Sequence, residues 1–303
     1  MTRAIKEKLG KKPKVCIEDS KVIQCGRVAK TIIKRALKED LRKRGDITCH
    51  ATIPTEQTGT GTIIAKESGI IAGQLVAAEV FKALDKSIKY KVIVPDGEMV
   101  DSGSKIAAIT GKMWVILAAE RVALNILGRC SGIASLTKKY VLKTAGANAK
   151  ITETRKTAPG LRYLDKAAVI SGGGVNHRYG LHDAFLIKEN HVSAVGGIVE
   201  AIKACQEYAT RHGRFRVMVE AENFEDFILA QSQLPARILL DNMTPKEVAK
   251  CVENKVGEIE LEATGGITLK NVRQYAETGV DFISIGALTH SVKVLDLSLL
   301  VLC

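Results

Sequence analysis

The sequence predicts an α/β protein in which a small α+β domain precedes a series of parallel strands alternating with helices. After residue 150, six short apolar runs recur at intervals of about 20–35 residues, and helical patterns lie between most of them. Before residue 112, short strands and helices follow one another without a fixed alternation. Regular alternation favours a parallel sheet with right-handed crossovers, which can be an open barrel, a closed barrel or a doubly wound sheet.

The first half of the chain divides into a tail and the α+β domain. Residues 1–14 carry six Lys or Arg and one Glu, so +5 of the net charge of +12 lies in a predicted basic tail. Residues 15–40 have the apolar spacing of a helix, and residues 113–145 predict one or two helices that bridge to the second half. The elements predicted between them are strands at Thr60–Ala65, Ile70–Ile71, Tyr90–Val94 and Lys105–Ile109, and a helix at Leu75–Leu84.

The second half contains the six predicted strands. Thr244 and Glu247 form a capping box with Pro245 at the first helical position, and Thr268 is expected to cap a later helix. We place the N-terminal domain at residues 15–125, with 290–303 packing back on it, and the second domain at 126–289. The strands are Ala149–Glu153, Ala184–Ile187, Arg216–Val219, Ile238–Leu240, Ile259–Leu261 and Phe282–Ile285.

Composition excludes several classes of protein. With 303 residues and 46% hydrophobic content the chain can bury a core, and wholesale disorder is excluded. Seven cysteines without a C-x-x-C pair argue against a disulfide scaffold or a zinc finger and favour a reducing compartment. No apolar run is long enough to span a membrane, and the N-terminus lacks the apolar segment of a secretory signal. We therefore expect a cytoplasmic protein.

The positive charge has two interpretations: it belongs to a solvated surface, or it binds an anionic partner. Aromatic residues are only 4% of the chain and are not interleaved with basic stretches, which argues against nucleic acid as the partner. A phosphorylated or carboxylated small molecule fits the charge better.

Chemically active side chains follow the predicted strands. The carboxyl ends of parallel strands lie at one face of a sheet, where ligands bind. Any one of these polar strand ends can be a helix cap or a solvated loop, but six in register predict one pocket. The residues that follow the strands are, in order, Arg155 and Lys156, Lys188, Glu220, Asp241, Thr264 with Gly265 and Gly266, and Gly286 with Ala287.

The basic members of this set suit an anion. Guanidinium groups match carboxylates and phosphates in a two-pronged geometry, and Arg155 is joined by His177 and Arg178 after a run of three glycines. The glycine run by itself can be only a helix stop. Gly265 and Gly266, just before the helix that Thr268 is expected to cap, are typical of a phosphate cradle.

The acidic members suit a hard cation. Glu220 and Asp241 end neighbouring strands and can share Mg²⁺, or can be no more than two ion-paired carboxylates. On the bridging helix, Arg121 and Asn125 share one face of an apolar stretch, where Arg121 is either functional or a cation that reaches solvent from a buried helix.

The combined motifs resemble the quinolinate phosphoribosyltransferase family, also called nicotinate-nucleotide pyrophosphorylase (decarboxylating). The similarity runs in order through residues 30–298. Mild departures are Thr264 where serine is usual and Glu189 where aspartate is frequent. The motifs are TRKT-x-PG (154–160), GGGxNHRxGL (172–181), LIKENH (186–191), VEAEN (219–223), LLDNM (239–243), EATGGI (262–267) and ISIGALTHS (283–291), with ERVALNILGRCSGIAS (120–135) upstream.

The resemblance implies an N-terminal α/β sandwich domain and a C-terminal (β/α) barrel of about six strands, usually in a homodimer. It implies transfer of a phosphoribosyl group from phosphoribosyl pyrophosphate (PRPP) to quinolinate, with release of pyrophosphate and CO₂. The product, nicotinate mononucleotide, belongs to de novo NAD biosynthesis. Mg²⁺ is the implied cofactor, and no organic cofactor is expected.

The resemblance also implies roles for single residues. Lys188, Glu220 and Asp241 would be catalytic, and the last two would hold Mg²⁺, directly or through water. Quinolinate would bind to Arg155, His177, Arg178, Lys188 and, from the partner chain, Arg121. PRPP and its phosphates would bind to Lys156, Thr264, Gly265, Gly266, Gly286 and Ala287.

Three other functions remain open from the sequence. A related enzyme of this fold could use another aromatic acid, although the cluster of cations argues against a monoacid. A class I aldolase could use Lys188 as its Schiff-base lysine, which leaves Glu220 and Asp241 unexplained. A non-enzymatic nucleic-acid binder is the third.

Overall fold

A computed structural model describes residues 26–213 and 215–302. The predicted basic tail and the first part of the predicted helix over 15–40 lie outside the described residues. The N-terminal elements are α1 (Arg27–Leu41), α2 (Ile47–Thr52), β1 (Thr58–Ala65), β2 (Gly69–Ile70), α3 (Gln74–Leu84), β3 (Lys89–Val92), β4 (Met99–Val100) and β5 (Lys105–Lys112).

A single long helix, α4 (Met113–Lys143), connects the N-terminal elements to the rest of the chain. The second half contains β6 (Lys150–Thr152), α5 (Arg162–Ser171), β7 (Ala184–Ile187), α6 (Glu189–Val195), α7 (Ile198–His212), β8 (Arg216–Ala221), α8 (Phe224–Gln231), β9 (Arg237–Asp241), α9 (Pro245–Glu253), β10 (Glu260–Thr264), α10 (Val272–Ala276), β11 (Phe282–Ser284), α11 (Ala287–His290) and β12 (Leu297–Leu302).

The six strands of the second half form a parallel sheet in the order of a barrel. Strands β7 to β11 lie side by side in chain order, and the first strand, β6, pairs with the last, β11. Across the described ranges 26–213 and 215–302, no ladder joins β6 to β7, so the barrel is open there. A single bridge between Thr152 and Val175 places the glycine-rich loop at this opening. The α/β class and the barrel of six strands are confirmed.

Local sequence accounts for several helix ends. The Thr244 side chain and Glu247 form the expected capping box at α9, with Pro245 in the first turn. The Asp46 carboxylate accepts hydrogen bonds from the N–H groups of Thr48 and Cys49 and so begins α2.

One expected helix start is wrong. The regular helix α10 begins at Val272, and residues 268–271 before it form a turn in which the Thr268 N–H donates to the Asn271 side chain.

The C-terminal segment returns to the N-terminal domain. Strand β12 pairs antiparallel with β1, so the N-terminal sheet has the order β12-β1-β5-β3. On its way the segment crosses α4 at two glycines, where the N–H of Leu295 donates to the carbonyl of Gly128 at 2.9 Å. A Cβ at Gly132 would lie 2.1 Å from the carbonyl oxygen of Lys293. This close approach needs glycine on the helix.

Apolar side chains of α4 lie in the core that joins both halves. Although α4 is 31 residues long, its charged residues interrupt its apolar stretches. In the part of the chain that the structure describes, no helix has the length and apolarity needed to cross a membrane.

We expect Gly132→Ala to lower the free energy of unfolding by about 1–3 kcal/mol, because the new methyl group forces α4 and the segment 293–295 apart. Chemical denaturation followed by circular dichroism measures this change. Lys139→Ala, at an exposed position of the same helix, is the control. An unchanged midpoint for Gly132→Ala would show that the C-terminal segment does not bear on α4 as described.

Candidate active site

A cavity of about 660 Å³ opens at the carboxyl ends of the barrel strands. Because parallel strands end at the same face, the barrel brings together side chains that are far apart in the chain. Of the residues predicted from the sequence, all except Arg121 line this cavity, namely Arg155, Lys156, His177, Arg178, Lys188, Glu220, Asp241, Thr264, Gly265, Gly266, Gly286 and Ala287.

Two guanidinium groups on one wall of the cavity each keep a buried donor without a partner among the described residues, although Nη1 of Arg178 donates to the carbonyl of Ala184 at 2.9 Å. The Nε atoms of Arg155 and Arg178 are buried, and neither makes a hydrogen bond with any described residue. Burial lowers the pKa of Arg178, and the nearby charge of Arg155 lowers it further. Buried donors beside a like charge are costly unless an anion meets them. The wall is therefore built for a negatively charged ligand.

Two lysines add to this charge in different ways. The Lys188 ammonium, at the start of α6, forms an ion pair with Glu220 on the neighbouring strand β8. Lys156 is exposed in the cavity and forms no ion pair with another described residue. The ammonium of Lys188 is thus fixed against the carboxylate of Glu220, whereas that of Lys156 is available to a ligand.

Protein groups lie close to both nitrogens of the His177 ring, and one of them forms a hydrogen bond. Its Nδ1 accepts a hydrogen bond of 2.8 Å from the N–H of Arg178, and its Nε2 lies 3.5 Å from Oε1 of Glu262. One ring nitrogen therefore accepts from the backbone, and the other faces a carboxylate. The proposed contact of His177 with a ligand carboxylate stays a prediction.

The sequence reading missed Glu262 as a site residue. This side chain is fully buried on β10, and its Oε2 accepts a 2.6 Å bond from Arg237. Burial by itself raises the pKa of Glu262, but His177 and Arg237 outweigh it and lower the pKa to about 2. Strand β10 extends to Thr264, beyond the predicted end at Leu261, and period-2 alternation along it places Glu262 and Thr264 on one face.

The glycine turn after β10 forms another part of the cavity lining, the glycine wall. Gly265 and Gly266 have φ values of +87° and +60°, and a Cβ at Gly265 would lie 2.2 Å from Oδ1 of Asn242. Neither backbone N–H donates to another described residue, so both are available for an anion. Because α10 has five residues and starts at Val272, the turn itself, rather than a helix end, provides these donors.

The sequence reading also missed His290 as a site residue. It lies at the end of α11 and lines the cavity close to Gly286. Its place in the motif ISIGALTHS, one turn after Gly286 and Ala287, is the signal that could have found it.

Comparison with known proteins places the chain in a family. Models of the N-terminal and C-terminal domains of quinolinate phosphoribosyl transferase match residues 46–131 and 133–300. The chain belongs to this family. The two matches together extend from α2 to β12, and they meet inside α4.

Relatives of this family are similar along most of their length. A chloroplastic nicotinate-nucleotide pyrophosphorylase (carboxylating) of Arabidopsis thaliana is 44% identical over 286 residues, which cover 89% of this chain and 82% of that protein. The enzyme of the same name from Mycobacterium leprae is 42% identical and matches 89% and 96% of the two chains. The solved nicotinate-nucleotide pyrophosphorylase of Francisella tularensis superposes with a TM-score of 0.85 at 36% identity, covering 91% and 96%.

Arg121 is the one predicted site residue that this chain places elsewhere. Its side chain is 67% exposed on α4, where Nη2 lies 3.8 Å from Glu120. It lines a second cavity of about 560 Å³, between α1, α4 and residues 294–297. In a family expected to form homodimers, a contribution to the partner's barrel is consistent with this outward position, and it stays a prediction.

The pKa of Glu262 predicts a pH effect on stability. A carboxyl whose pKa is lower in the folded state contributes stability above its unfolded pKa, about 4.3, and this contribution is lost as the pH falls towards 2. We expect Glu262→Gln to show a shallower loss of unfolding free energy than the wild type between about pH 5 and pH 2. Denaturant titrations across this range measure the slope.

The exposed residue Glu253 on α9 provides the matched control, Glu253→Gln. Equal slopes for the wild type and Glu262→Gln would show that Glu262 carries no such linkage.

Proposed function

We propose that the protein transfers the phosphoribosyl group of PRPP to the ring nitrogen of quinolinate and releases pyrophosphate and CO₂, giving nicotinate mononucleotide for NAD biosynthesis. One observation carries the proposal. The buried Nε atoms of Arg155 and Arg178 lack partners among the described residues, and both side chains line the same cavity as the open glycine turn at Gly265 and Gly266. A cavity with two anion-binding walls suits one ligand with carboxylates and another with phosphates.

The basic wall suits quinolinate. The two adjacent carboxylates of quinolinate match the pair Arg155 and Arg178, and Lys188 lies at the same end of the barrel. Binding of a dianion relieves the repulsion between the two guanidinium groups more fully than binding of a monoacid does. This favours quinolinate over other aromatic acids.

The glycine wall suits PRPP. We assign the 5′-phosphate to the N–H groups of Gly265 and Gly266 with Thr264, Gly286 and Ala287, because late strand–helix loops of barrels are the usual phosphate site. Lys156 lies next to Gly286 and is available to the pyrophosphate.

The residues present fit Mg²⁺ that arrives with a substrate. Glu220 and Asp241 lie on adjacent strands of the cavity wall, but within residues 26–213 and 215–302 no group of three or more His, Cys, Asp or Glu could hold a metal. Mg²⁺ usually binds through one or two carboxylates together with water and substrate phosphates. Glu220 and Asp241 would hold the ion, which supplies positive charge to the leaving pyrophosphate.

The chain's own groups account for the reaction. The ring nitrogen of quinolinate forms a bond to the anomeric carbon as the carbon–oxygen bond to pyrophosphate breaks, and the pyrophosphate keeps the electron pair. Carboxylates near the ribose stabilise the positive charge that develops there, a role suited to Glu220 and Asp241. The quaternary nitrogen then stabilises the electron pair left on C2 as CO₂ departs, and a proton replaces the carboxylate. This chemistry requires no organic cofactor.

A product assay tests the proposal. With PRPP and Mg²⁺, we expect nicotinate mononucleotide and CO₂ from quinolinate but no mononucleotide from nicotinate, as read by mass spectrometry. Chelation of Mg²⁺ should stop turnover. Product from nicotinate, or none from quinolinate, would refute the substrate assignment. Borohydride trapping of a carbonyl substrate on Lys188 would instead support an aldolase, a reading that the ion pair with Glu220 disfavours because a Schiff-base lysine must lose its proton.

We propose a homodimer in which Arg121 reaches the partner's cavity. Its exposure on α4 and its distance from the cavity of its own chain support this. The expected cytoplasmic location and the lack of a nucleic-acid partner stay predictions, and the Arabidopsis relative is named as chloroplastic.

Mixing two inactive variants tests the shared site. Arg121→Ala and Arg155→Ala should each lose most activity, the second by losing quinolinate binding in a titration. After the two are unfolded and refolded together, half of the dimers are mixed and contain one intact site, so we expect about a quarter of wild-type activity. No recovery would mean that Arg121 acts within its own chain or not at all, and each variant refolded by itself is the control.

A further inference from the structure

Helix α5 carries three polar residues that connect to two loops of the cavity. The first loop, residues 154–160, carries Arg155 and Lys156, and the second loop, residues 176–183, carries His177 and Arg178. We propose that Arg162, Asp165 and Lys166 are positioning residues that hold these two loops at the separation at which their cations meet one dianion. The choice of quinolinate as the kinetic probe rests on the function proposed above.

Asp165 holds the first loop. Its side chain is completely buried, and its two oxygens accept bonds of 2.8 Å from Nε and Nη2 of Arg129 on α4. Its Oδ2 also accepts the N–H of Ala158 at 3.1 Å. Nη2 of Arg129 donates to the carbonyl of Thr289, whose hydroxyl donates to the carbonyl of Lys156 at 2.8 Å. The loop is therefore tied to α4, α5 and α11 together.

Lys166 holds the second loop. Only 2% of its side chain is exposed, and its ammonium forms an ion pair with Glu153, which is fully buried. The same ammonium donates to the carbonyl of His177 at 2.9 Å, and Glu153 accepts the N–H of His177 at 3.1 Å. Both backbone groups of His177 are thus bound by one buried pair. The conformation of His177 fixes where Arg178 begins.

Arg162 connects the two loops directly. Its Nε donates to the hydroxyl of Thr157 at 3.1 Å, and its Nη1 donates to the carbonyl of Tyr179 at 3.2 Å. Thr157 follows Lys156 in the first loop, and Tyr179 follows Arg178 in the second. One side chain therefore sets the distance between the two cationic loops.

Charge explains why such a support is needed. Arg155 and Arg178 repel each other. Burial is the main cause of the lowered pKa of Arg178, and the positive charge of Arg155 lowers that pKa further. Without ligand, this repulsion favours separation of the loops. Buried ion pairs contribute little net stability because desolvation offsets their attraction, so Lys166 and Glu153 are better explained by the backbone groups that they fix. A preformed site spares the ligand the cost of bringing the cations together.

Two variants test the proposal without leaving a lone buried charge. Arg162→Met removes both connecting bonds from a half-buried site, and the double variant Lys166→Met with Glu153→Gln removes the ammonium while keeping an acceptor for the His177 N–H. Arg211→Met, on the exposed face of α7, is the control. Hydrogen–deuterium exchange of the full chain should show faster exchange at residues 154–160 and 176–181 for Arg162→Met. For the double variant the faster exchange should be confined to 176–181. Residues 262–268 should not change in either.

Kinetics provide the second readout. The double variant should raise the KM for quinolinate about tenfold, which corresponds to the free energy of roughly one hydrogen bond at the upper end of its range. The KM for PRPP should stay within about twofold of the wild-type value. Arg162→Met should also raise the KM for quinolinate, and Arg162→Lys, which can reach one of the two acceptors, should reverse part of that rise.

The outcomes separate the two proposals. Unchanged exchange at both loops, or faster exchange spread evenly over the barrel including 262–268, would overturn the positioning role. Equal rises in both KM values would also overturn it, because they indicate general loss of structure. If the wild type makes no mononucleotide from quinolinate, the proposed function fails, while the exchange pattern still decides the role of α5.

Discussion

Positive charge gathered in a partly buried space is the constraint on which the rest of this structure depends. Arg155 lies close enough to Arg178 to lower its pKa, and the buried Nε atoms of both residues find no partner among the described residues. Such an arrangement is unfavourable in the absence of an anion and becomes favourable when one binds. The barrel, the helix α5 and the neighbouring carboxylates are all arranged so that this unfavourable state persists until a ligand arrives.

Negative charge in the site is distributed so that it does not cancel the cations. Glu262 is paired with Arg237 and lies beside His177, while Glu220 pairs with the ammonium of Lys188. These carboxylates balance the interior without covering the two guanidinium groups. The glycine wall relies on backbone N–H groups at Gly265 and Gly266, which bind anions without adding a further cation.

Helix α4 links the site to the rest of the molecule. It contributes Arg129 to the buried pair with Asp165, presents Arg121 outward, and contacts the returning C-terminal segment at Gly128 and Gly132. A displacement of α4 would therefore affect the first cationic loop and the N-terminal sheet together. The second cavity lies along the same helix and is lined in part by Arg129. A partner bound there would therefore contact the side chain that pairs with Asp165.

The sequence by itself determined the alternation of strands and helices and most of the residues of the site. Arg155, Lys188, Glu220 and Asp241 could be found because parallel strands end at one face, so a position after a strand is already a position in space. The capping box at Thr244 was equally readable, since it depends only on residues three apart. Motif resemblance added the family and the roles.

Only the tertiary structure decided which of these residues are paired and which are free. Glu262 became visible once β10 extended to Thr264, because its alternation along the strand turns it inward beside His177 and Arg237. The start of α10 at Val272 follows a turn over residues 268–271, which the sequence pattern did not show. The need for glycine at position 132 comes from Lys293, 161 residues away along the chain. Local patterns cannot encode such contacts, because they depend on which distant surfaces the packed core brings together.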